Sequence, residues 1–134
     1  MRLVLDTNIV LDLFVFRDVA VDGLNRALAN KEVTWLATAA MRDELASVLS
    51  YEQISARMTT PGHSAPLVLA AFDAHAELVD APPASSIKCR DTDDQKFVDL
   101  AAAHDALLLS KDAHLLTLRR KLRVARAFSA PAPP

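Results

Sequence analysis

Leu3-Val4-Leu5-Asp6-Thr7-Asn8 is the stretch that decides how the rest of the chain reads. Three apolar residues run straight into three polar ones. Periodicity cannot separate so short a run from a buried helix, but the abrupt stop at Asp6 favours a strand buried on both faces. Two further stretches have the same form. Residues 33–37 are short and β-leaning, and residues 106–109 are stopped by Ser110-Lys111-Asp112. Residues 77–80 form a weaker strand candidate, and residues 122–128 a last, edge-like one.

Helical spacing fills the gaps. Residues 9–13 read as a short helix. In residues 22–30, Leu24, Ala27 and Leu28 recur at three and four. Thr38 is placed to cap a helix whose stripe is Met41, Leu45, Val48 and Leu49. Residues 59–62, Thr-Thr-Pro-Gly, mark a turn, and residues 66–76 return to helical composition. Pro82-Pro83 and Ser85-Ser86 mark a loop. Thr92 and Gln95 have the spacing of a capping box for a helix running to His104, with Phe97, Leu100 and Ala101 on one side. A short helix is expected over residues 113–118. Strands alternating with helices predict an α/β domain, a parallel sheet covered on both faces, spanning residues 1–128. Residues 129–134 read as a disordered Pro/Ala tail.

Composition narrows the function. The 134 residues are 51% hydrophobic and 24% charged, enough apolar material for one core. The net charge is −2, which is not the footprint of a DNA-coating protein but leaves room for locally concentrated charge. A single cysteine, Cys89, excludes a disulfide framework or multi-cysteine zinc site. Two glycines exclude a glycine-rich phosphate cradle. No apolar run is long enough to cross a membrane, and the few apolar residues before Asp6 predict no signal peptide. The expectation is an intracellular, cytoplasmic protein.

In an open parallel sheet, ligands bind beyond the carboxyl ends of the strands. That edge would gather Asp6 after the first strand, Asp112 after the third, and Asp91, Asp93 and Asp94 at a helix start. Glu44 falls near Val48, where it would lean inward at the border of its apolar stripe. Grouped carboxylates raise one another's pKa, and a divalent cation such as Mg2+ or Mn2+ is the natural compensation. Each acid also has a plainer reading: a strand end for Asp6, a solvated helix face for Glu44, helix-dipole partners for Asp91, Asp93 and Asp94, a cap for Asp112. The four histidines, His63, His75, His104 and His114, lack zinc-hydrolase spacing, and Ser110 lacks a nucleophile elbow. Arg119, Arg120, Lys121, Arg123 and Arg126 place five of the 15 basic residues in eight positions. They suit RNA phosphates, or a charged edge that protects a strand. Arg17 is a weaker phosphate contact.

Together, Leu3-Val4-Leu5-Asp6-Thr7-Asn8, Glu44, Asp94-Gln95-Lys96-Phe97 and Ser110-Lys111-Asp112 resemble a PIN-domain ribonuclease, in order and spacing, to about Phe128. Residues 90–97, Arg-Asp-Thr-Asp-Asp-Gln-Lys-Phe, look most like the branch of toxin components of toxin–antitoxin systems. The resemblance implies a three-layer α/β/α fold with a central, mostly parallel sheet of four to five strands. It implies Mg2+- or Mn2+-dependent cleavage of single-stranded RNA, a cognate antitoxin and a homodimer. Carried over, Asp6, Glu44, Asp94 and Asp112 are the acidic tetrad, with Asn8 and Ser110 supporting. Asp6, Asp94 and Asp112 are the expected metal ligands and Asp91 an extra one. The third position stays open among Asp91, Asp93 and Asp94; spacing to Phe97 favours Asp94. Lys111 departs from the branch, which often has glycine there; its ammonium would contact phosphate or partly neutralise the metal site. Arg17, Lys111, Arg119 and Arg120 are the RNA-contact candidates. Two other readings compete: a phosphatase with Asp6 as nucleophile, against which Asn8 replaces the usual second aspartate, and a PIN-like module that binds RNA or protein without cutting.

Overall fold

Strand β1 (Arg2–Leu5) lies at the centre of a five-stranded sheet. Its neighbours are β2 (Thr34–Ala37) and β4 (Leu107–Leu109), with β3 (Ala76–Leu78) and β5 (Val124–Ala125) at the edges, in the order β3-β2-β1-β4-β5. The computed structural model describes residues 1–59 and 63–129. Every pairing is parallel, with Leu3 opposite Trp35 on one side and Leu107 on the other. The expected mostly parallel sheet is therefore parallel throughout.

Burial explains why the short apolar runs became strands. Leu3, Val4 and Leu108 are 0% exposed. A strand covered on both faces needs no alternation, and each such side chain contributes roughly 1.5–3 kcal/mol by leaving water. The covering helices are α1 (Thr7–Leu11), α2 (Asp22–Ala29), α3 (Ala39–Leu49), α4 (Glu52–Ser55), α5 (Ala65–His75), α6 (Gln95–His104) and α7 (Ala113–Leu116). Helix α6 packs on β1 and β4 through Phe97, Val98, Leu100 and Ala101. Helix α3 is capped by Thr38 and buries Met41, Leu45 and Leu49, while α3 and α5 pack together. The result is the three-layer α/β/α architecture that the sequence resemblance implies. Among the described residues, no helix is long and apolar enough to cross a membrane.

Several local expectations need correction. The helix expected over residues 9–13 starts at Thr7 and gives way to a π-helical turn, Asp12–Phe16. The capping box of Thr92 and Gln95 does not form. The Asp91 carboxylate accepts from the Asp93 N–H and closes a 3-10 turn, Thr92–Asp94, so α6 begins at Gln95. The Gln95 amide bonds instead to Cys89, Ile87 and Asp99, which holds the preceding loop. The weaker strand candidate at residues 77–80 starts earlier, at Ala76, and ends at Leu78, and the last shrinks to Val124–Ala125. Helix α7 stops at Leu116 rather than residue 118. Residues 60–62 of the expected turn, and residues 130–134 of the expected tail, lie outside the described residues.

Candidate active site

The chain leaves β1 for β2 on one side, while β4 pairs on the other. The boundary between β1 and β4 is thus the switch point where an open parallel sheet leaves a crevice at its carboxyl edge. Asp6 follows β1 and Ser110 follows β4, so both enter that crevice. The Asp6 N–H donates to the Leu109 carbonyl at 3.2 Å, which fixes the two strand ends together.

Asp6 is 4% exposed and Ser110 is 0% exposed. One Asp6 oxygen caps α1 by accepting the Ile9 N–H at 3.0 Å; the other accepts the Ser110 hydroxyl. Ser110 Oγ in turn accepts the Asp112 N–H at 2.9 Å. Asp112 caps α7 through the His114 N–H at 2.8 Å, and His114 Nδ1 lies 3.9 Å from the same carboxylate. The capping role that stood as the alternative to a site role for Asp112 is thus present too, and Asp6, expected only to end its strand, also caps a helix. Helix starts at the strand ends are what aim these carboxylates.

Glu44 comes from the middle of α3 and is half-buried. Thr7 donates its hydroxyl to Oε2, and Lys96 Nζ lies 2.9 Å from Oε1. Lys96 also donates to the Asp93 carbonyl at 2.5 Å. Of the three neighbouring aspartates, Asp94 lines the same cleft as Asp6, Thr7, Asn8, Glu44 and Asp112. Asp91 and Asp93 are exposed on the flank.

Electrostatics set this cleft apart. Burial pushes the Asp6 carboxyl up, against the Ser110 and Ile9 hydrogen bonds that favour its ionised form; Asp112 adds a push and Lys111 opposes it. Asp94 is raised to about 6, first by burial and then by the charges of Asp112, Asp91 and Asp6, with Lys96 opposing. Among the described residues, no three acids, histidines or cysteines close into a ready-made metal cage. The donor set still fits one kind of group. Its members are all oxygen, they repel one another, and they leave space between them. A hard divalent cation that keeps several waters and takes only one or two carboxylates suits that arrangement.

The other candidates lie apart. Lys111 does not point freely at the cleft: its Nζ is 2.5 Å from Asp12 Oδ2, and Asp12 is 6% exposed. Sequence reading missed Asp12. A lone acid inside the apolar run Ile9-Val10-Leu11-Asp12-Leu13 was the available signal, because a buried charge requires a partner. Thr7 and Lys96 were likewise not singled out as site residues. Arg17 stands in the left-handed region, φ 51°, beside the largest cavity, about 490 Å3 between the π-helical turn, α2 and α5. That cavity is larger than the acidic cleft, but its polar lining is exposed or half-exposed and it gathers no buried carboxylate. We therefore place the chemistry in the smaller cleft. Arg119 and Arg120 lie beyond α7, in concavities separate from it. Burial raises the Cys89 thiol, which suits a core residue rather than a nucleophile.

A sequence profile described as PIN domain matches residues 2–114. No protein of curated function matches the chain. Among solved structures, the crystal structure of VapBC2 from Rickettsia felis, bound to a DNA fragment from their promoter, matches with a TM-score of 0.64 at 16% identity, covering 93% of this chain and 98% of that chain. At that identity, the likeness speaks for the fold.

Proposed function

The chain belongs to the PIN domain family, and from that premise we propose that it is a divalent-metal-dependent ribonuclease that cleaves single-stranded RNA, as the toxin of a toxin–antitoxin pair. The observation that carries the reading is the meeting of Asp6, Glu44, Asp94 and Asp112 in one cleft at the β1–β4 switch point. PIN domains are generally nucleases; the toxin reading is supported by the resemblance of residues 90–97 to the toxin branch, and the structural neighbour is VapBC2 bound to a DNA fragment from their promoter.

Asp6, Asp94 and Asp112 would hold Mg2+ or Mn2+, with Asp91 close enough to add to the field. Bound there, such an ion supplies a Lewis acid for a phosphate oxygen and lowers the pKa of a coordinated water. The chain's own groups do the positioning. Ser110 and the Ile9 N–H hold both oxygens of Asp6, so the carboxylate cannot swivel. Thr7 and Lys96 do the same for Glu44, which makes Glu44 a fixed acceptor for a water rather than a swinging base. Asn8, exposed on the rim, is placed to donate to an RNA backbone oxygen. An antitoxin and a second copy of the chain are the proposed partners, in the cytoplasm.

The test is direct. Purified protein should cut single-stranded RNA with Mg2+ or Mn2+, stop in EDTA, and lose activity on Asp6→Asn. Undiminished cutting by the Asp6→Asn protein sinks the assignment. RNA binding insensitive to EDTA, with no cleavage in any divalent ion, selects the non-cleaving module instead.

A further inference from the structure

Arg119, Arg120, Lys121, Arg123 and Arg126 are all exposed, and among the described residues none lies within ion-pair distance of a carboxylate. Of the ten basic residues outside the cluster, three are paired among the described residues, Arg42, Lys96 and Lys111, so what sets the cluster apart is its density of unpaired cations. Arg42 makes a two-pronged pair with Asp73, at 2.7 and 2.8 Å. Protection of the edge strand explains only part of the cluster. Arg123 and Arg126 flank β5, but Arg119 and Arg120 belong to the turn after α7, before the strand begins.

Topology sorts these cations along a line. The Ser110 N–H donates to the Ala125 carbonyl at 3.0 Å, so Arg126 emerges at the acidic edge, where it shares a crevice with Asp12 and Lys111. The Leu108 N–H donates to the Arg123 carbonyl at 2.8 Å, and the Arg123 guanidinium reaches the Asp105 carbonyl at 3.3 Å. Arg123 therefore stands at the opposite edge. Arg119 and Arg120 lie between and line two adjoining concavities, one shared with Ala113 and Arg126, the other with Lys121 and Arg123. Asp105 is the sole carboxylate in those linings among the described residues. Helix α7 and the turn after it separate Arg119 and Arg120 from Asp112, and neither arginine lines the acidic cleft.

A line of unpaired arginines in concave surface fits a flexible polyanion. Guanidinium forks grip successive phosphates two-pronged, and each phosphate neutralised in a single strand adds about 0.7 to the salt slope of binding. The arginine-lined concavities contain no aromatic side chain on which a base could stack, so the grip would be indifferent to sequence. We propose that the ridge from Arg126 to Arg119 and Arg120 is a backbone track that holds the RNA on one side of the cut, separate from the cleft where the bond breaks. The proposal rests on the ribonuclease reading and adds where the substrate is held.

The test compares the unaltered protein with R119A/R120A and R119K/R120K on two RNAs. One is roughly 20 nucleotides, longer than a typical single-strand site of ~4–16, and the other about 4. For the long RNA, the alanine variant should raise KM by about 10-fold, the loss expected for two solvent-exposed charge pairs. Its kcat should stay unchanged. The slope of log affinity against log salt should fall by about 1.4, and the lysine variant should keep most of that slope. The short RNA should not distinguish the three proteins. An unchanged KM and slope on the long RNA overturns the track and leaves the ridge to another partner, such as an acidic protein. Equal losses on both RNAs also overturn it, because they mark damage to the cleft. If the unaltered protein neither binds nor cuts RNA, the ribonuclease reading falls and takes the track with it, a result distinct from the other two.

Discussion

The two banks of the acidic cleft are made in opposite ways. One bank is Asp6, Ser110 and Asp112, hung directly from the ends of β1 and β4. Its buried groups are joined by hydrogen bonds in an unbroken chain from the Ile9 N–H to the Asp112 N–H. The other bank is Asp91, Asp93 and Asp94, carried on a single 3-10 turn after a long loop. Asp94 receives no hydrogen bond that offsets its burial, and three like charges press on it. The first bank is what a fold builds when it must satisfy buried polar groups. The second is charge kept in an unfavourable place, which costs stability and becomes useful only when a cation arrives. The contrast gives the two banks opposite signatures: removing a hydrogen-bonding group should weaken the first, removing charge should strengthen the second, and both are needed for activity.

The largest expected effect tests their shared purpose. Asp6→Asn keeps one oxygen to accept the Ile9 N–H and puts an NH2 donor opposite Ser110, whose hydroxyl oxygen can accept from it, so the protein should stay folded by circular dichroism. Its RNA cleavage should fall by more than about 100-fold, beyond the 10–100-fold typical of a residue that only supports a metal ligand. Ser110→Ala comes next. It leaves the buried Asp6 oxygen unpaired, so stability should drop by about 1–3 kcal/mol and activity by about 10–100-fold. A Ser110→Ala protein with the melting temperature of the unaltered one would show that the strand bank is not held as described.

Asp94→Asn should move stability the other way. A carboxyl raised in the folded state binds its proton more tightly there than in the unfolded chain. Its contribution is full below about pH 4 and is lost as pH rises through about 6. Metal-free protein should therefore lose stability across that interval. Asp94→Asn should flatten the loss and melt a few degrees higher at pH 7. Much of the carboxyl is in solvent, so screening keeps the gain under about 1 kcal/mol. Added Mg2+ should stabilise the unaltered protein and not the variant. A lower melting temperature for metal-free Asp94→Asn at pH 7 would break the contrast between the banks.

The same contrast explains what the sequence made legible. Leu3-Val4-Leu5 and Leu107-Leu108-Leu109 announce buried strands by running apolar and stopping, and the first polar residue past each stop is placed by the sheet. The strand bank could be read for that reason. The loop bank could be read only in part, because its geometry depends on competition among similar groups. Thr92 and Gln95 have capping-box spacing, but Asp91 offers a nearer acceptor, and Gln95 finds three partners across the loop. Spacing to Phe97 favours Asp94, and Asp94 is the aspartate that lines the cleft; the turn that carries it there is what spacing does not give. Asp12 was hidden for a different reason: its partner Lys111 is 99 residues away, and no local pattern connects them.

Lys96 gives the smallest and most specific test, because it ties the loop bank to Glu44, as Thr7 ties the strand bank. Its ammonium pairs with Glu44, holds the Asp93 carbonyl and lowers the pKa of Asp94. Lys96→Met keeps an apolar stem for the Phe97 ring, over which Lys96 now sits at 5.0 Å. Partial exposure on both sides of the pair limits the stability loss to about 1 kcal/mol or less. The electrostatic consequence is sharper. With its only opposing charge gone, Asp94 in metal-free protein should titrate above its present value of about 6, followed through its carboxyl carbon by NMR. Glu44 keeps the Thr7 hydroxyl but loses its second anchor, so kcat should fall while RNA binding holds. If Asp94 titrates at the same pH in both proteins, Lys96 is only a surface partner of Glu44, and the loop bank stands electrostatically alone.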